Sequence, residues 1–194
     1  MENGQDMVES DIHIAVPDIE QKRVFITSDT HFFHTNIIQY CNRPWATVEE
    51  MNEGLIERWN SVVGKEDTVI HLGDFGFGGK TRIKGIFDRL NGKIDLIMGN
   101  HDNFRVRDYY KMGFHRVYDK PILYKDFFLL SHEPVGWVKD GGVYANIYGH
   151  VHDLPHFKNF TQNTFCACVE RTDYKPILFE DIVAKMKSCE ENPL

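Results

Sequence analysis

The sequence predicts a mixed α/β fold, and three observations carry the prediction. In the first half, short apolar runs alternate with helical patterns in the order β-α-β-α-β, which means parallel strands joined by crossover helices. In the second half, "FHRVYD", "PILYK", "FFLLS", "VYANIYG" and "TFCACVE" are strand-like runs divided by turn residues, with one clear helix after them. That pattern predicts mostly antiparallel or mixed pairing. The 194 residues contain no long polar or Pro-rich break and no internal repeat, so they suffice for one globular unit with its own core. We place that unit at residues 21–194. Residues 1–20 read as a tail or a peripheral strand, since "DIHIAV" alternates as an edge strand does.

The elements follow in order. Arg23 to Ser28 is a short apolar run and predicts a buried strand. Thr47-Val48-Glu49-Glu50 has the form of a capping box. Behind it Val48, Met51, Leu55, Trp59 and Val62 keep helical spacing, which predicts a helix over about residues 48–62, ended by Gly64. Asp67 to Leu72 is the second strand. Ile83, Ile86, Phe87 and Leu90 mark a second helix stopped by Asn91-Gly92, and Lys93 to Met98 is the third strand. "NFRVRDYY" opens another helix, and the last covers about Phe179 to Lys187.

Composition narrows the class. Hydrophobic content of 42% and charged content of 26% are ordinary for a soluble protein. A net charge of −7 argues against bulk nucleic-acid binding, which shows a basic face. No apolar run approaches the ~18 residues of a membrane span, and the acidic N-terminus lacks a signal-peptide pattern. Cys41, Cys166, Cys168 and Cys189 form no C-x-x-C and read as reduced thiols of a cytoplasmic protein, Cys166 and Cys168 packing on one face of a strand.

The strand ends carry the chemistry. The first ends in Asp29-Thr30-His31, the second in Gly73-Asp74, the third in Gly99-Asn100-His101-Asp102. "FFLL" ends in Ser131-His132-Glu133-Pro134, and "VYANIY" in Gly149-His150-Val151-His152. Five of the ten histidines sit in these corners. Loops beyond the carboxyl ends of parallel strands gather on one rim, so the five corners converge. In D-x-H and H-x-H the first and third residues point the same way if the backbone is extended. Asp, Asn and His together suit manganese, iron, zinc, nickel or cobalt, whereas calcium takes only oxygen. So many donors exceed the needs of one zinc and fit two metals sharing one carboxylate. His71, inside a strand, and His13, His115 and His156 read as packing or surface residues.

The ordered series D-x-H, G-D, G-N-H-D, S-H-E-P, G-H-V-H resembles the calcineurin-like metallophosphoesterases over about residues 23–180. "SDTHFFHTNIIQYCNRPW", "HLGDFGFG" and "VERTDYKPILFEDI" resemble a small single-domain subgroup of bacteria and phages. The resemblance implies a four-layer αββα sandwich of two mixed sheets flanked by helices. It implies one divalent metal on Asp29, His31 and His152, a second on Asn100, His132 and His150, and Asp74 bridging both. Two such ions lie ~3.5–4 Å apart and act on water and on the phosphoryl oxygens. The implied reaction is in-line attack of a metal-bridging hydroxide on a phosphodiester or a small, nucleotide-like phosphomonoester. His101 would protonate the leaving oxygen or stabilise charge there, with Asp102 behind it orienting its ring.

In the loop from Phe32 to Trp45, two readings stay open. His34, Asn36 and Arg43 contact substrate while Phe32 or Phe33 stacks on a base, or the loop simply packs. "GFGGK" opens a helix whose N-terminus favours anions. The G-D-x-x-D-R-G of the phosphoprotein phosphatases is absent from "GDFGFGG", and G-N-H-D stands where those branches have G-N-H-E, so protein phosphatase activity is not expected. Two alternatives remain: a nuclease on nucleic-acid ends, which needs Lys80, Lys84, Arg105 and Arg107 along one groove, and a non-catalytic metal-binding scaffold. Scaffold relatives lose the histidine that this chain keeps as His101. No membrane or protein partner is implied.

Overall fold

In the computed structural model, which describes residues 22–135 and 145–189, neighbours in the first strand point into two different cores. Phe25 joins a cluster beneath the helices, while Ile26 joins one between two sheets. The alternation repeats at Val69 and Ile70, and at Leu96 and Ile97. A strand buried on both faces is the reason these runs are continuously apolar.

The first sheet contains β1 (Val24–Thr27), β2 (Thr68–His71), β3 (Lys93–Ile97), β4 (Arg116–Tyr118) and β9 (Ile177–Leu178), in the order β4-β3-β2-β1-β9. All pairs are parallel except β1 with β9. The second sheet has the order β5-β6-β7-β8, from β5 (Ile122–Tyr124), β6 (Phe128–Ser131), β7 (Ala145–Tyr148) and β8 (Thr164–Cys166). Of the two pairings expected here, antiparallel or mixed, the mixed one is found. Only β5 with β6 is antiparallel, and β6-β7-β8 run parallel. The crossover from β7 to β8 is a long loop without a helix, so a count of helices misses it. The edge strand expected in residues 1–20 lies outside the described residues, as does the beginning of the "VYANIYG" run.

Helices α2 (Val48–Asn60), α3 (Lys80–Phe87) and α4 (Val106–Met112) cover the outer face of the first sheet, and α5 (Phe179–Ser188) closes the edge where β9, β1 and β8 meet. A single turn, α1 (Ile37–Tyr40), interrupts the loop after β1. Thr47 Oγ1 accepts the Glu50 amide at 3.1 Å, as a cap should, but the Glu50 carboxylate reaches Ala46 N (3.0 Å) and not the cap residue's own amide. Behind this start Met51, Leu55, Ile56 and Trp59 are buried, each stabilising by roughly 1.5–3 kcal/mol. Trp59 Nε1 donates to Asn91 O at 3.0 Å and ties α2 to the turn before β3. The architecture is the expected one, two mixed sheets flanked by helices.

Candidate metal centre

The corners are held together by backbone. Asp29 N donates to Gly73 O and His31 N to Asp74 O, both at 3.0 Å, so the loop after β1 runs alongside the loop after β2. Gly99 lies so close to the second corner that a Cβ there would overlap Asp74 Oδ1, and one at Gly149 would overlap Ser28 Oγ and Asp29 Oδ2. The expectation of extended D-x-H and H-x-H is overturned. Asp29, His31, Asp74, His150 and His152 all have positive φ, between 47° and 68°. Such left-handed conformations are costly for residues other than glycine and persist where surrounding structure holds them. The turn splits the H-x-H pair, sending His150 to one side and His152 to the other.

Two lobes result. In the first, Asp29 Oδ1 lies 3.8 Å from His31 Nε2 and 3.7 Å from His152 Nε2. In the second, Asn100 Oδ1 is 2.9 Å from His132 Nε2 and 3.0 Å from His150 Nδ1, and these two nitrogens are 3.2 Å apart. Asp74 Oδ2 stands between the lobes, 3.5 Å from both His31 Nε2 and His132 Nε2. Its other oxygen accepts the His101 amide at 2.8 Å. All seven donor side chains singled out from the sequence are thus brought together.

The donor set suits divalent cations. Asp29 Oδ1 and both ring nitrogens of His31 are buried with no hydrogen-bond partner among the described residues, an arrangement that costs free energy unless something between them is bound. Donor separations are near those of ligands on one ion, roughly 3–3.5 Å for bonds of 2.0–2.2 Å. The local field also favours positive charge. Burial would lower His132, yet Asp74 and Asp29 lift it to about 9. Burial would raise Asp74, yet the His132 and His31 rings hold it at about 2. Burial, the largest cause, drives His31 well down and Asp29 up, helped at His31 by His152, Arg43 and His34 and at Asp29 by Asp74.

Supporting contacts fix which ring nitrogen faces inward. His132 Nδ1 lies 2.8 Å from Leu72 O and donates to it, which turns the Nε2 lone pair to the lobe. His152 Nδ1 lies 3.0 Å from Glu170 Oε1 and so turns its Nε2 toward Asp29. Burial would lower His152, but the Cys41 thiol, Glu170 and Asp29 raise it to about 11. His71 is a packing residue as expected, neutral because burial lowers it to about 3, with Nε2 on Thr30 Oγ1 at 2.9 Å. Cys168 Sγ lies 3.3 Å from Asp29 Oδ2 and 3.4 Å from Cys166 Sγ, so this pair packs directly under a candidate ligand. All four thiols are free.

Three expectations change. Asp102 does not orient the His101 ring. Its Oδ2 accepts Asp74 N (2.7 Å) and Gly99 N (2.8 Å), and its Oδ1 accepts Phe75 N (3.2 Å) and the Tyr109 hydroxyl (3.3 Å). Burial pushes this carboxyl up to about 6 against the pull of those amides. Arg43, expected at the substrate, is only 4% exposed. It donates to Thr30 O, Asp29 O and Glu170 Oε1. Phe32 is fully buried in the core, and Phe33 is partly buried with Arg82 over its ring at 4.6 Å, so neither offers a free face for a base.

His101 itself is exposed, its ring 5.1 Å from Phe77 and 5.7 Å from His31. His34 stacks on Phe77 at 4.1 Å, and Asn36 is exposed at the start of α1. Reasoning from sequence missed Phe77, Cys41 and Glu170. The signal for Glu170 was present, since it lies in "VERTDYKP".

The model of the family described as "Calcineurin-like phosphoesterase" matches residues 22–187. A Methanocaldococcus jannaschii protein, "Uncharacterized protein MJ1445", is 37% identical over 171 residues, covering 85% of this chain and 92% of the relative. The "Gene 66 protein" of Mycobacterium phage L5 is 40% identical over 81 residues, 40% of this chain and 39% of the phage protein. A crystal structure from Aquifex aeolicus, a "Protein of Unknown Function AQ665", superposes with a TM-score of 0.62 at 27% identity, covering 84% of this chain and 99% of that one.

Proposed function

The chain belongs to the calcineurin-like phosphoesterase family, and on that premise we propose that it hydrolyses a phosphodiester or a small, nucleotide-like phosphomonoester. The observation that carries the reading is Asp74 Oδ2 standing 3.5 Å from a histidine of each lobe. Asp29, His31 and His152 would hold one divalent ion, Asn100, His132 and His150 the other, and Asp74 both. Manganese, iron, zinc, nickel or cobalt fits these donors. Bound there, such ions lower the pKa of water and neutralise phosphoryl oxygens.

The chain's own groups supply the rest. His101 is exposed at the mouth, anchored through its amide to Asp74, and donates a proton to the leaving oxygen. His34 is held neutral by burial and presents an imidazole beside it, with Asn36 further out. Phe77, stacked on His34, and Tyr40, 70% exposed, give this side of the mouth an aromatic wall that suits a nucleotide-like substituent. The nuclease alternative has less support. Lys80 and Lys84 line one cleft between α3 and α4, but each is paired, with Asp108 at 2.9 Å and Asp88 at 2.7 Å. Arg105 and Arg107 do not line that cleft. No helix among the described residues is long and apolar enough to cross a membrane, and the free thiols suit a reducing compartment, so we place the protein in the cytoplasm.

The test is hydrolysis of p-nitrophenyl phosphate against bis-p-nitrophenyl phosphate. Metal-stripped protein is assayed with each metal restored, and His101→Ala is run alongside. Metal-dependent turnover that falls ~10²–10⁴-fold in the variant is expected. A wild type inert with every metal, or a variant as active as wild type, would overturn the assignment.

A further inference from the structure

We infer that Arg43 is the positioning residue of the first metal lobe, acting on His152 through Glu170 and on Asp29 through its backbone. The inference rests on the two-metal reading and adds a residue to it. The Arg43 side chain is fully buried and that of Glu170 nearly so. One guanidinium makes four hydrogen bonds to oxygen. Nη1 donates to Thr30 O at 2.8 Å and Nη2 to Asp29 O at 2.7 Å. Nη2 and Nε donate to the same Glu170 oxygen at 2.6 and 3.0 Å. That oxygen, Oε1, is the atom that faces His152 Nδ1 at 3.0 Å.

The chain of contacts has a chemical consequence. A carboxylate on Nδ1 holds the proton there and leaves the Nε2 lone pair for a metal. A buried glutamate without a cation would be costly, and Arg43 removes that cost. The same guanidinium clamps Asp29 and Thr30, whose left-handed corner aims the Asp29 carboxylate. A planar fork can serve two carbonyls and a carboxylate at once, whereas a lysine ammonium cannot. The second lobe does not use it, because His132 is oriented by Leu72 O. Cys41, His152 and Glu170 come close enough to suggest a third metal site, but the guanidinium already supplies the cation at Glu170 Oε1.

Arg43 therefore controls the affinity of one lobe and spares the other. The experiment is titration of the metal-stripped full chain with Co²⁺, followed by calorimetry and by the visible absorption of the bound ion. Wild type, Arg43→Lys and Glu170→Gln are compared. Wild type is expected to fill two sites. Each variant is expected to fill one site as wild type does and the other about 10–100-fold more weakly, the usual effect of losing a partner of a metal-bound histidine. Equal weakening of both sites, or no change in either, overturns the inference. Should Arg43→Lys not fold by circular dichroism, Glu170→Gln, which keeps the shape, decides alone. Wild type that fills fewer than two sites overturns the two-metal reading itself, and this inference with it.

Discussion

Removing the Asp102 carboxylate should cost stability more than it costs chemistry at His101. In Asp102→Ala the amides of Asp74, Phe75 and Gly99 lose their acceptor in a region where Asp102 is only 5% exposed. A buried donor left unsatisfied costs roughly 1–3 kcal/mol. Three of them would give roughly 3–9 kcal/mol, and relaxation of two loops brings the expected loss to about 3–6 kcal/mol. That is a large part of the ~5–15 kcal/mol that holds a domain folded. With each kcal/mol worth about 2–4 °C at this size, Tm should fall by about 6–24 °C. Urea melts of Asp102→Ala and His101→Ala, each with metal removed, make the comparison. His101 is exposed and its ring makes no hydrogen bond among the described residues, so its variant should melt within about 0.5 kcal/mol of wild type. An Asp102→Ala protein losing under ~1 kcal/mol would refute the view that this carboxylate ties the Asp74 and Gly99 corners together.

Two further outcomes follow from the geometry. Gly149→Ala puts a methyl group into Ser28 Oγ and Asp29 Oδ2, so ion affinity at the first lobe should fall about tenfold or more, read by the same cobalt titration; unchanged affinity would mean the corner gives way. Asp67 sits against Arg23, with Arg23 Nη2 at 2.6 Å and Gly64 N at 2.7 Å. Burial alone would raise its carboxyl, but these partners outweigh burial and lower it. A depressed carboxyl gives its stability in full above the ordinary carboxylate range, near pH 4, and loses it as pH falls through the lower folded value. Asp67→Asn should therefore be destabilised at pH 7 and converge on wild type in acid; parallel curves would refute it.

What could be read from sequence was local. The G-D, G-N-H-D and G-H-V-H corners announced themselves because glycine and hard donors follow apolar strands, and each strand exists as the pattern predicts. Contacts spanning the chain were not legible. Arg43 meets Glu170 across 127 positions, and nothing in "QYCNRPW" marks that arginine as buried. Adjacency misled at Asp102, which sits next to His101 in sequence but turns its oxygens to amides 27 and 28 positions away. Backbone conformation was hidden too, because non-glycine residues such as Asp29 and His152 occupy left-handed angles that their side chains do not advertise. The pairing of the second sheet was legible only as antiparallel or mixed, because the crossover from β7 to β8 is a loop with no helix to mark it as parallel.

The most direct test of the account is metal content per chain after equilibration of stripped protein with excess Mn²⁺ or Zn²⁺ and removal of free ion, for wild type and Asp74→Ala. Asp74 Oδ2 belongs to both lobes, so the account predicts two ions in wild type and loss of tight binding in both lobes of the variant. A wild type that holds a single ion, or an Asp74→Ala protein that still holds two, would contradict it.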